Sequence, residues 1–362
     1  MRKPRNSKTF YSIGCMSGTS MDGIDLAYVK FTQSDPWQFE ILITATIDYD
    51  EGWRMKLSNA TKLSPTEINL LNIKYTDYLG GIIHNFIKKN KIKTLDFVAS
   101  HGHTVFHQPE QGITLQIGNL SDLADRTAFP VVCDFRVQDL ELGGQGAPLV
   151  PVGDAALFGL HDACLNLGGF SNLSLLEGET LIAYDICAVN TVLNYLSSRE
   201  GLAYDAGGEL AARGSLIPEL FAQLEQLDFY SSPYPKSLGI EWVAEFVYKI
   251  IEGCSDASTA DLLHTYTLHI AEQISRCLPH QGSVLVTGGG THNTFLISEI
   301  KKRSRCEVVI PTNDIIDFKE ALIFAFLGLL RWQGEDNCLS SVTGATENHS
   351  SGKIFLPNSI NE

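Results

Sequence analysis

Apolar and polar positions along the chain run through the same order twice. Tyr11–Cys15, Ile24–Phe31 and Phe39–Ile47 are apolar runs of strand length, the first two separated by a glycine turn. Ser64-Pro65-Thr66-Glu67 then predicts a capping box with proline at the first helical position. Behind it Ile68, Leu71, Tyr75, Leu79, Ile82 and Phe86 recur at helical spacing and make one apolar face. The basic run Lys88–Lys93 falls near the helix end, where cations suit the dipole. Leu95–Ser100 predicts a strand broken by His101-Gly102-His103, and Val131–Phe135 predicts another. Gly143-Gly144-Gln145-Gly146-Ala147-Pro148 predicts a loop, and a division there into residues 1–145 and 146–362.

The second round opens with strands at Ala163–Leu167, Ser171–Leu176 and Leu181–Ile186, the first pair joined by Gly168-Gly169. A long helix is predicted over Thr259–Leu278, with Leu262, Leu263, Tyr266, Ile270 and Ile274 on one side. A strand over Ser283–Thr287 ends at Gly288-Gly289-Gly290. A helix near Asn293–Lys302, a strand at Val308–Ile310 and a helix near Phe318–Trp332 follow, and Lys353–Leu356 reads as a last strand with no assigned partner. Each half is therefore three strands, helix, strand, turn. The sequences of the halves barely match, so the order alone argues for an α/β protein of two similar, duplicated domains.

Composition narrows the possibilities. Of 362 residues, 44% are apolar and 19% charged, which suits globular domains that bury their own cores. The formal charge of -15, without a basic stripe, predicts no nucleic-acid partner. It leaves anionic ligands open, because backbone amides bind phosphate without a positive protein. The 8 cysteines are scattered, with no Cys-x-x-Cys pair, and read as small hydrophobes in a reduced compartment. The basic, polar first ten residues predict no signal peptide, and no run of about 18 apolar residues predicts a membrane helix. The expected location is cytoplasmic.

The glycine turns carry the candidate chemistry. Gly18-Thr19-Ser20-Met21-Asp22-Gly23 offers backbone amides and two hydroxyls, and Asp22 and Asp25 are placed to hold Mg²⁺ directly or through water. A matching turn at Gly168-Gly169 is expected to clamp a triphosphate from the other side, with Gly288-Gly289-Gly290 taking the nucleoside. One such turn alone is weak evidence, since hairpin turns are commonly glycine-rich. Three at equivalent points of a repeated order predict an ATP-dependent kinase. No Gly-x-x-x-x-Gly-Lys-Ser/Thr loop occurs, and the nucleophile-elbow pattern Gly-x-Ser-x-Gly is missed by one place.

Ordered motifs extend these turns through nearly the whole chain, from about Gly14 to Pro357. They are Ser17–Asp25, His101–His107, Asp134-Phe135-Arg136, Gly143–Leu149, Asn166–Leu173, Gly288–Gly290, Lys319-Glu320-Ala321 and Ser341–Ala345. In these the chain resembles the anhydro-N-acetylmuramic acid kinases, of the sugar kinase, heat-shock 70 and actin superfamily. The resemblance implies two ribonuclease H-like domains of the actin and hexokinase type around a deep cleft, and a homodimer. It implies ATP and Mg²⁺ as cofactors and a small anhydrosugar as substrate. Water opens the 1,6-anhydro ring of anhydro-N-acetylmuramic acid, and O6 is phosphorylated to give N-acetylmuramic acid 6-phosphate in cell-wall recycling.

The resemblance makes Asp185 the general base and extends the phosphate site to Ile24 and Asn172. It places His101, His103, Thr104, Arg136, Asn190 and Glu320 at the sugar. Without it, Asp185 reads as a helix cap and Arg136 as a surface partner of Asp134 or Asp139. Glu320 reads as a complement to a helix dipole. The His-x-His spacing suggests zinc, but no cysteine or acidic partner stands near those histidines in sequence. The chain departs from the family where Asp-Thr-Gly-Pro-Gly-Asn becomes Asp185-Ile186-Cys187-Ala188-Val189-Asn190 and His-Gly-Gln-Thr becomes His101-Gly102-His103-Thr104. The added Cβ atoms at Cys187 and Val189 are expected to crowd the sugar. A kinase for another anhydrosugar such as levoglucosan, and a non-catalytic nucleotide-responsive protein, are the alternatives.

Overall fold

Both predicted rounds are present in the computed structural model, which describes residues 8–18, 21–178, 180–254 and 256–358. Thr19 and Ser20 of the first glycine turn lie outside the described residues. The strands are β1 (Thr9–Ser17), β2 (Gly23–Thr32), β3 (Gln38–Asp48), β4 (Phe97–Gln108), β5 (Ile113–Ile117), β6 (Val131–Cys133), β7 (Ala163–Leu167), β8 (Phe170–Glu177), β9 (Thr180–Ala188), β10 (Ser283–Thr287), β11 (Glu307–Val309) and β12 (Lys353–Phe355). The helices used below are α1 (Pro65–Lys89), α2 (Val137–Glu141), α3 (Val150–Phe158), α4 (Asn190–Ser197), α5 (Thr259–Cys277), α6 (Thr294–Arg303) and α7 (Asn313–Gln333).

Two compact units result: residues 1–157 with 318–362, and residues 158–317. The Gly143–Pro148 loop, expected as the boundary, lies inside the first unit, and the chain crosses instead at Leu157/Phe158. It returns within α7, at Asp317/Phe318. A glycine-rich loop marks a change of direction, whereas a boundary is where few contacts cross, so the motif alone could not locate it.

The first unit has a 7-stranded sheet of order β12-β6-β4-β1-β2-β3, with β5 paired to β4. Strands β1, β2 and β3 form an antiparallel meander, while β4 lies parallel to β1 and β6 parallel to β4. The second unit has a 5-stranded sheet of order β11-β10-β7-β8-β9, with β7, β8 and β9 as the meander and β10 and β11 parallel. Reading β7 for β1 and β10 for β4, the two sheets share one topology, as the order of the elements predicts. Strand β12 finds its place antiparallel to β6, Lys353 opposite Cys133.

Strand β4 is not broken at the histidines. Gly102 takes the left-handed conformation (φ 76°), and the pairing with β1 jumps from Cys15↔Ser100 to Ser17↔His103. This is a bulge, which lets the strand continue and pair with β5. The capping box at the start of α1 is complete: Ser64 Oγ accepts from Glu67 N, and Glu67 Oε2 accepts from Ser64 N at 2.9 Å.

One face of the first sheet buries Ile13, Ile24 and Leu26 against Tyr75, Leu79 and Ile83 of α1. The other face receives α7, where Phe326 packs at a tilt against Phe31 at 5.6 Å and Trp332 stacks on Phe97 at 5.5 Å between centroids. That approach is closest at Gly14, where a Cβ would lie 1.8 Å from the carbonyl oxygen of Ala321. In the second unit Leu165, Leu167, Ile186, Cys187 and Val189 pack with Leu262, Tyr266, Ile270 and Ile274 of α5. No helix among the described residues is long and apolar enough to cross a membrane.

Gly14→Ala should therefore destabilise the protein by at least about 3 kcal/mol, since the backbone of α7 must move. Gly81→Ala is the control: it lies in α1 with nothing within 4 Å of an added Cβ. Removing that helical glycine should stabilise by about 0.5–1 kcal/mol. Denaturant midpoints of the two variants check both signs.

Candidate active site

In both units the candidate residues collect at the carboxyl ends of the parallel strands. In the first unit β1 ends at Ser17, beside the bulge of β4 that carries His101 and His103. Among the described turn residues, Met21 N–H bonds to Gly18 O at 3.3 Å, and Asp22 O accepts from Tyr49 N–H. Met21 has a positive φ of 56°, an uncommon conformation for a side-chain-bearing residue. Asp22 is exposed. Ile24 is fully buried in the core behind the turn. Asp25 is half-buried and accepts a 2.6 Å hydrogen bond from Thr46 Oγ1.

Arg136 is held from within, not by a surface carboxylate. Its Nε donates to His101 Nε2 at 2.9 Å and its Nη1 donates to the carbonyl of Gly146 at 2.6 Å. Asp134 pairs with Lys353 at 2.7 Å instead. Asp139 is fully buried and accepts from Gly146 N–H at 2.6 Å and from the Thr343 hydroxyl at 2.7 Å. The loop Gly143–Pro148 is thereby fastened on both sides, and Arg136 is anchored to it.

His101 has both ring nitrogens engaged. Nδ1 bonds to Gly102 O at 3.0 Å, so it carries the hydrogen, and Nε2 accepts from Arg136. Burial, then the neighbouring Arg136 charge, push its pKa well below the usual range, which keeps it the neutral acceptor that Arg136 requires. His101 is thus a support for Arg136. His103 differs: its Nδ1 meets Ser17 Oγ at 2.9 Å, and Ser17 in turn meets Tyr49 at 2.7 Å. Tyr49 bonds to Tyr75, completing a buried chain of hydroxyls behind the first glycine turn. Burial lowers His103 to about 4, so it too is neutral near pH 7. Thr104 is half-buried, and its hydroxyl accepts from Gln116 Nε2 at 3.4 Å.

Glu320 stands in the third turn of α7, because that helix begins at Asn313 and not near Phe318. Dipole complementation fades beyond the first turn and does not account for it. Its neighbour Lys319 is buried and paired with Asp154 at 3.1 Å. Enclosure by protein raises the Glu320 carboxyl; Lys319 and Arg136 oppose the rise, and Asp25 and Asp154 add to it. Three carboxylates thus share one neighbourhood with Lys319 and Arg136. Asp154 is absent from the sequence expectations: nothing local marks a lone Asp in an apolar helix as the partner of a lysine 165 residues away.

In the second unit, Asn166, Asn172 and Asp185 stand directly opposite one another across β7, β8 and β9. Opposed residues project to one face, so the three half-buried polar side chains form a row. Asp185 Oδ2 accepts from Leu238 N–H at 2.8 Å, and its own N–H bonds to Lys236 O. Burial raises its pKa, and the Leu238 bond partly offsets the rise.

Asn190 lies between two glycine turns. Gly168 O accepts from Asn190 N–H, and Gly169 O accepts from Val189 and Thr191 N–H, so the start of α4 is docked on that turn. Asn190 Nδ2 reaches Leu167 O at 3.4 Å, and its Oδ1 would be 3.5 Å from a Cβ on Gly290. Gly288 abuts Asn166 and Leu167, with 2.5 Å between an added Cβ and Asn166 Oδ1. Gly289 opens a short 3₁₀ turn, and Asn293 then caps α6.

The altered loop does not do what its Cβ atoms suggest. Ile186, Cys187, Ala188 and Val189 are each at most 2% exposed and belong to the core of the second unit. Cys187 Sγ lies 3.2 Å from Ser171 Oγ, which also donates to the Cys187 carbonyl. Strand β9 runs on through Ala188, with a bulge opposite Ser171/Asn172, so the replacements pack inward.

A family model described as anhydro-N-acetylmuramic acid kinase matches residues 10–357. The anhydro-N-acetylmuramic acid kinase of Aliivibrio fischeri is 33% identical over 368 residues, covering 96% of this chain and 99% of that protein. That of Haemophilus influenzae is 33% identical over 97% of this chain and 99% of its own length. Among solved structures, an activator of 2-hydroxyisocaproyl-CoA dehydratase from Clostridium difficile with bound ADPNP aligns at 12% identity and TM-score 0.42, over 87% of this chain and 92% of that one. The matched segment holds both sheets, the three glycine turns, Asp185 and the Lys319-Glu320 pair, and the chain belongs to the anhydro-N-acetylmuramic acid kinase family.

Proposed function

We propose that this kinase opens the 1,6-anhydro ring of anhydro-N-acetylmuramic acid with water and transfers the γ-phosphoryl group of ATP to O6. The observation that carries the reading is Asp185: a carboxylate aligned by the Leu238 amide and raised by burial, in one row with Asn172 and Asn166. A base in that state can accept a proton from water at neutral pH without being permanently neutralised. The inward packing of residues 186–189 is compatible with the same substrate, because these departures from the family pattern are side chains of the core of the second unit.

The steps balance. Asp185 takes a proton as the water oxygen bonds to C1, and the C1–O6 bond breaks. O6 then bonds to the γ-phosphorus as the bond to the β–γ bridging oxygen breaks, releasing ADP. We assign the phosphates to the amides of Gly18–Gly23 with Ile24 and to Gly168-Gly169 with Asn172. The nucleoside is assigned to Gly288–Gly290. Mg²⁺ takes hard oxygen ligands, and Asp22 and Asp25 would supply them beside the first turn. When bound, the ion neutralises charge on the transferring phosphate. The Nη2 end of Arg136, beyond its bonds to His101 and Gly146, is assigned to the lactyl carboxylate, with His103, Thr104, Asn190 and Glu320 around the sugar. A cytoplasmic homodimer is the state we propose, on the family resemblance.

Purified protein with Mg²⁺-ATP and a panel of anhydrosugars, read by mass, should yield a phosphosugar from anhydro-N-acetylmuramic acid in preference to levoglucosan. Product from levoglucosan alone would overturn the substrate. Asp185→Asn should lower kcat by about 10²–10⁴-fold with ATP affinity unchanged. Full activity of that variant would remove the base assignment.

The pH profile has a defined sign. Protonated Asp185 cannot accept a proton, so kcat/KM should fall as pH falls through its raised pKa. The acidic limb should lie above the ordinary carboxylate range and vanish in Asp185→Asn. Arg136→Lys should raise KM for the lactyl sugar by about tenfold or more, the worth of a charge-assisted hydrogen bond. KM for the anhydrosugar lacking the lactyl group should change far less, which separates carboxylate binding from loosening of the loop.

A further inference from the structure

One buried polar cluster takes no part in this chemistry. Asp139, Cys338 and His349 are 0%, 1% and 6% exposed, and their ligand-type atoms all lie within 4.8 Å of one another. They come from three places in the chain of the first unit. Asp139 sits in α2. Cys338 and His349 form an isolated antiparallel bridge and exchange two backbone hydrogen bonds of 3.1 Å. Opposed residues of such a pair project to one face, so the thiol and the imidazole stand side by side.

The imidazole supplies the second observation. His349 Nδ1 bonds to the carbonyl of Glu347 at 3.1 Å. A carbonyl only accepts, so Nδ1 carries the hydrogen and a neutral ring presents a lone pair at Nε2. That Nε2 is buried, makes no hydrogen bond, and faces Asp139 Oδ1 at 3.5 Å. Two acceptors facing each other in a buried place need a positive centre between them. Nitrogen and oxygen ligands about 2.0–2.1 Å from a tetrahedral Zn²⁺ stand roughly 3.3–3.4 Å apart, close to this spacing.

The outer shell that metal ligands need is also built. Asp139 Oδ1 accepts from Thr343 Oγ1 at 2.7 Å and Oδ2 from Gly146 N–H at 2.6 Å, while Glu347 fixes the His349 tautomer. Mixed sulfur, nitrogen and oxygen donors select Zn²⁺-type ions over Mg²⁺ or Ca²⁺.

We propose that Asp139, Cys338 and His349 form a structural site for one divalent ion of the zinc class, with solvent as the fourth ligand. The ion ties α2 and the Gly143–Pro148 loop to the carboxyl-terminal segment. Because Arg136 is bonded to Gly146, the site stiffens the loop that holds Arg136. Its role is positional and distinct from that of Mg²⁺.

The test uses the full chain, stripped with a chelator and titrated with Co²⁺ as the probe. The expected result is about one equivalent bound, with a thiolate-to-cobalt charge-transfer band in the near ultraviolet that Zn²⁺ displaces. Zn²⁺ should also raise the unfolding temperature of the stripped protein. Cys338→Ser should lose the band although the other cysteines remain, and His349→Gln should weaken Co²⁺ binding by about tenfold or more. Asp139 is left intact because it also holds Gly146 and Thr343, and circular dichroism verifies that both variants fold. No band in the stripped wild type, or a band that survives in Cys338→Ser, overturns the proposal. So does an His349 imidazole that titrates as the partner of Asp139 and ignores added Zn²⁺, which would make a proton the positive centre.

Discussion

The close passage of α7 over β1 is the contact on which the first unit depends. Gly14 lets the carbonyl of Ala321 approach to a distance that no side chain would permit. Lys319 and Glu320, immediately before Ala321, are thereby delivered to the end of β1, near Asp25 and Asp154. Phe324 on the same helix lies 4.6 Å from the His101 ring and 5.6 Å from Phe135, so the histidine that braces Arg136 is itself packed by α7. The charge arrangement of that site therefore follows from a backbone contact, and the absence of one Cβ governs where a carboxylate and an ammonium stand.

The second unit reaches a comparable arrangement by other means. Its meander puts Asn166, Asn172 and Asp185 in one row, and the glycine turns at the ends of β7 and β10 are joined through Asn190 and Asn166. The amides at the start of α4 are spent on the carbonyls of Gly168 and Gly169. That docking fixes the turn against α4 and, through β9, against Asp185. Ile186, Cys187 and Val189 reinforce it from the core side, so the loop that departs from the family pattern is held by the core of the second unit.

Neutral histidines and raised carboxylates give the sites a common electrostatic logic. Burial keeps His101 and His103 uncharged, so they act as hydrogen-bonding props and not as cations. Burial also raises Asp185 and Glu320, but each has a partner that limits the rise: an amide for Asp185, and Lys319 with Arg136 for Glu320.

Much of the fold was legible in the sequence. Alternation and helical spacing marked most strands and the helices α1, α5 and α6 to within a few residues, but not β5, α2, α3 or the helices between Glu209 and Glu252. Their order predicted the duplicated topology, and Ser64 with Glu67 marked the start of α1. These features depend on neighbours one to four residues apart, which is the range over which periodicity and capping act. Local signals misled where the decisive contact was distant. The bulge at Gly102 looked like a strand end, the loop at Gly143 looked like a boundary, and the side chains at 187 and 189 looked like intrusions at the sugar. The pairing of Asp154 with Lys319, the bracing of Arg136 by His101, and the meeting of Asp139 with Cys338 and His349 join residues 35 to more than 200 positions apart. The sequence by itself determined most of the strands, the longest helices, their order and the glycine turns. Tertiary structure alone decided which side chains are buried together, because burial and charge pairing are set by packing across the sheet and not along the chain.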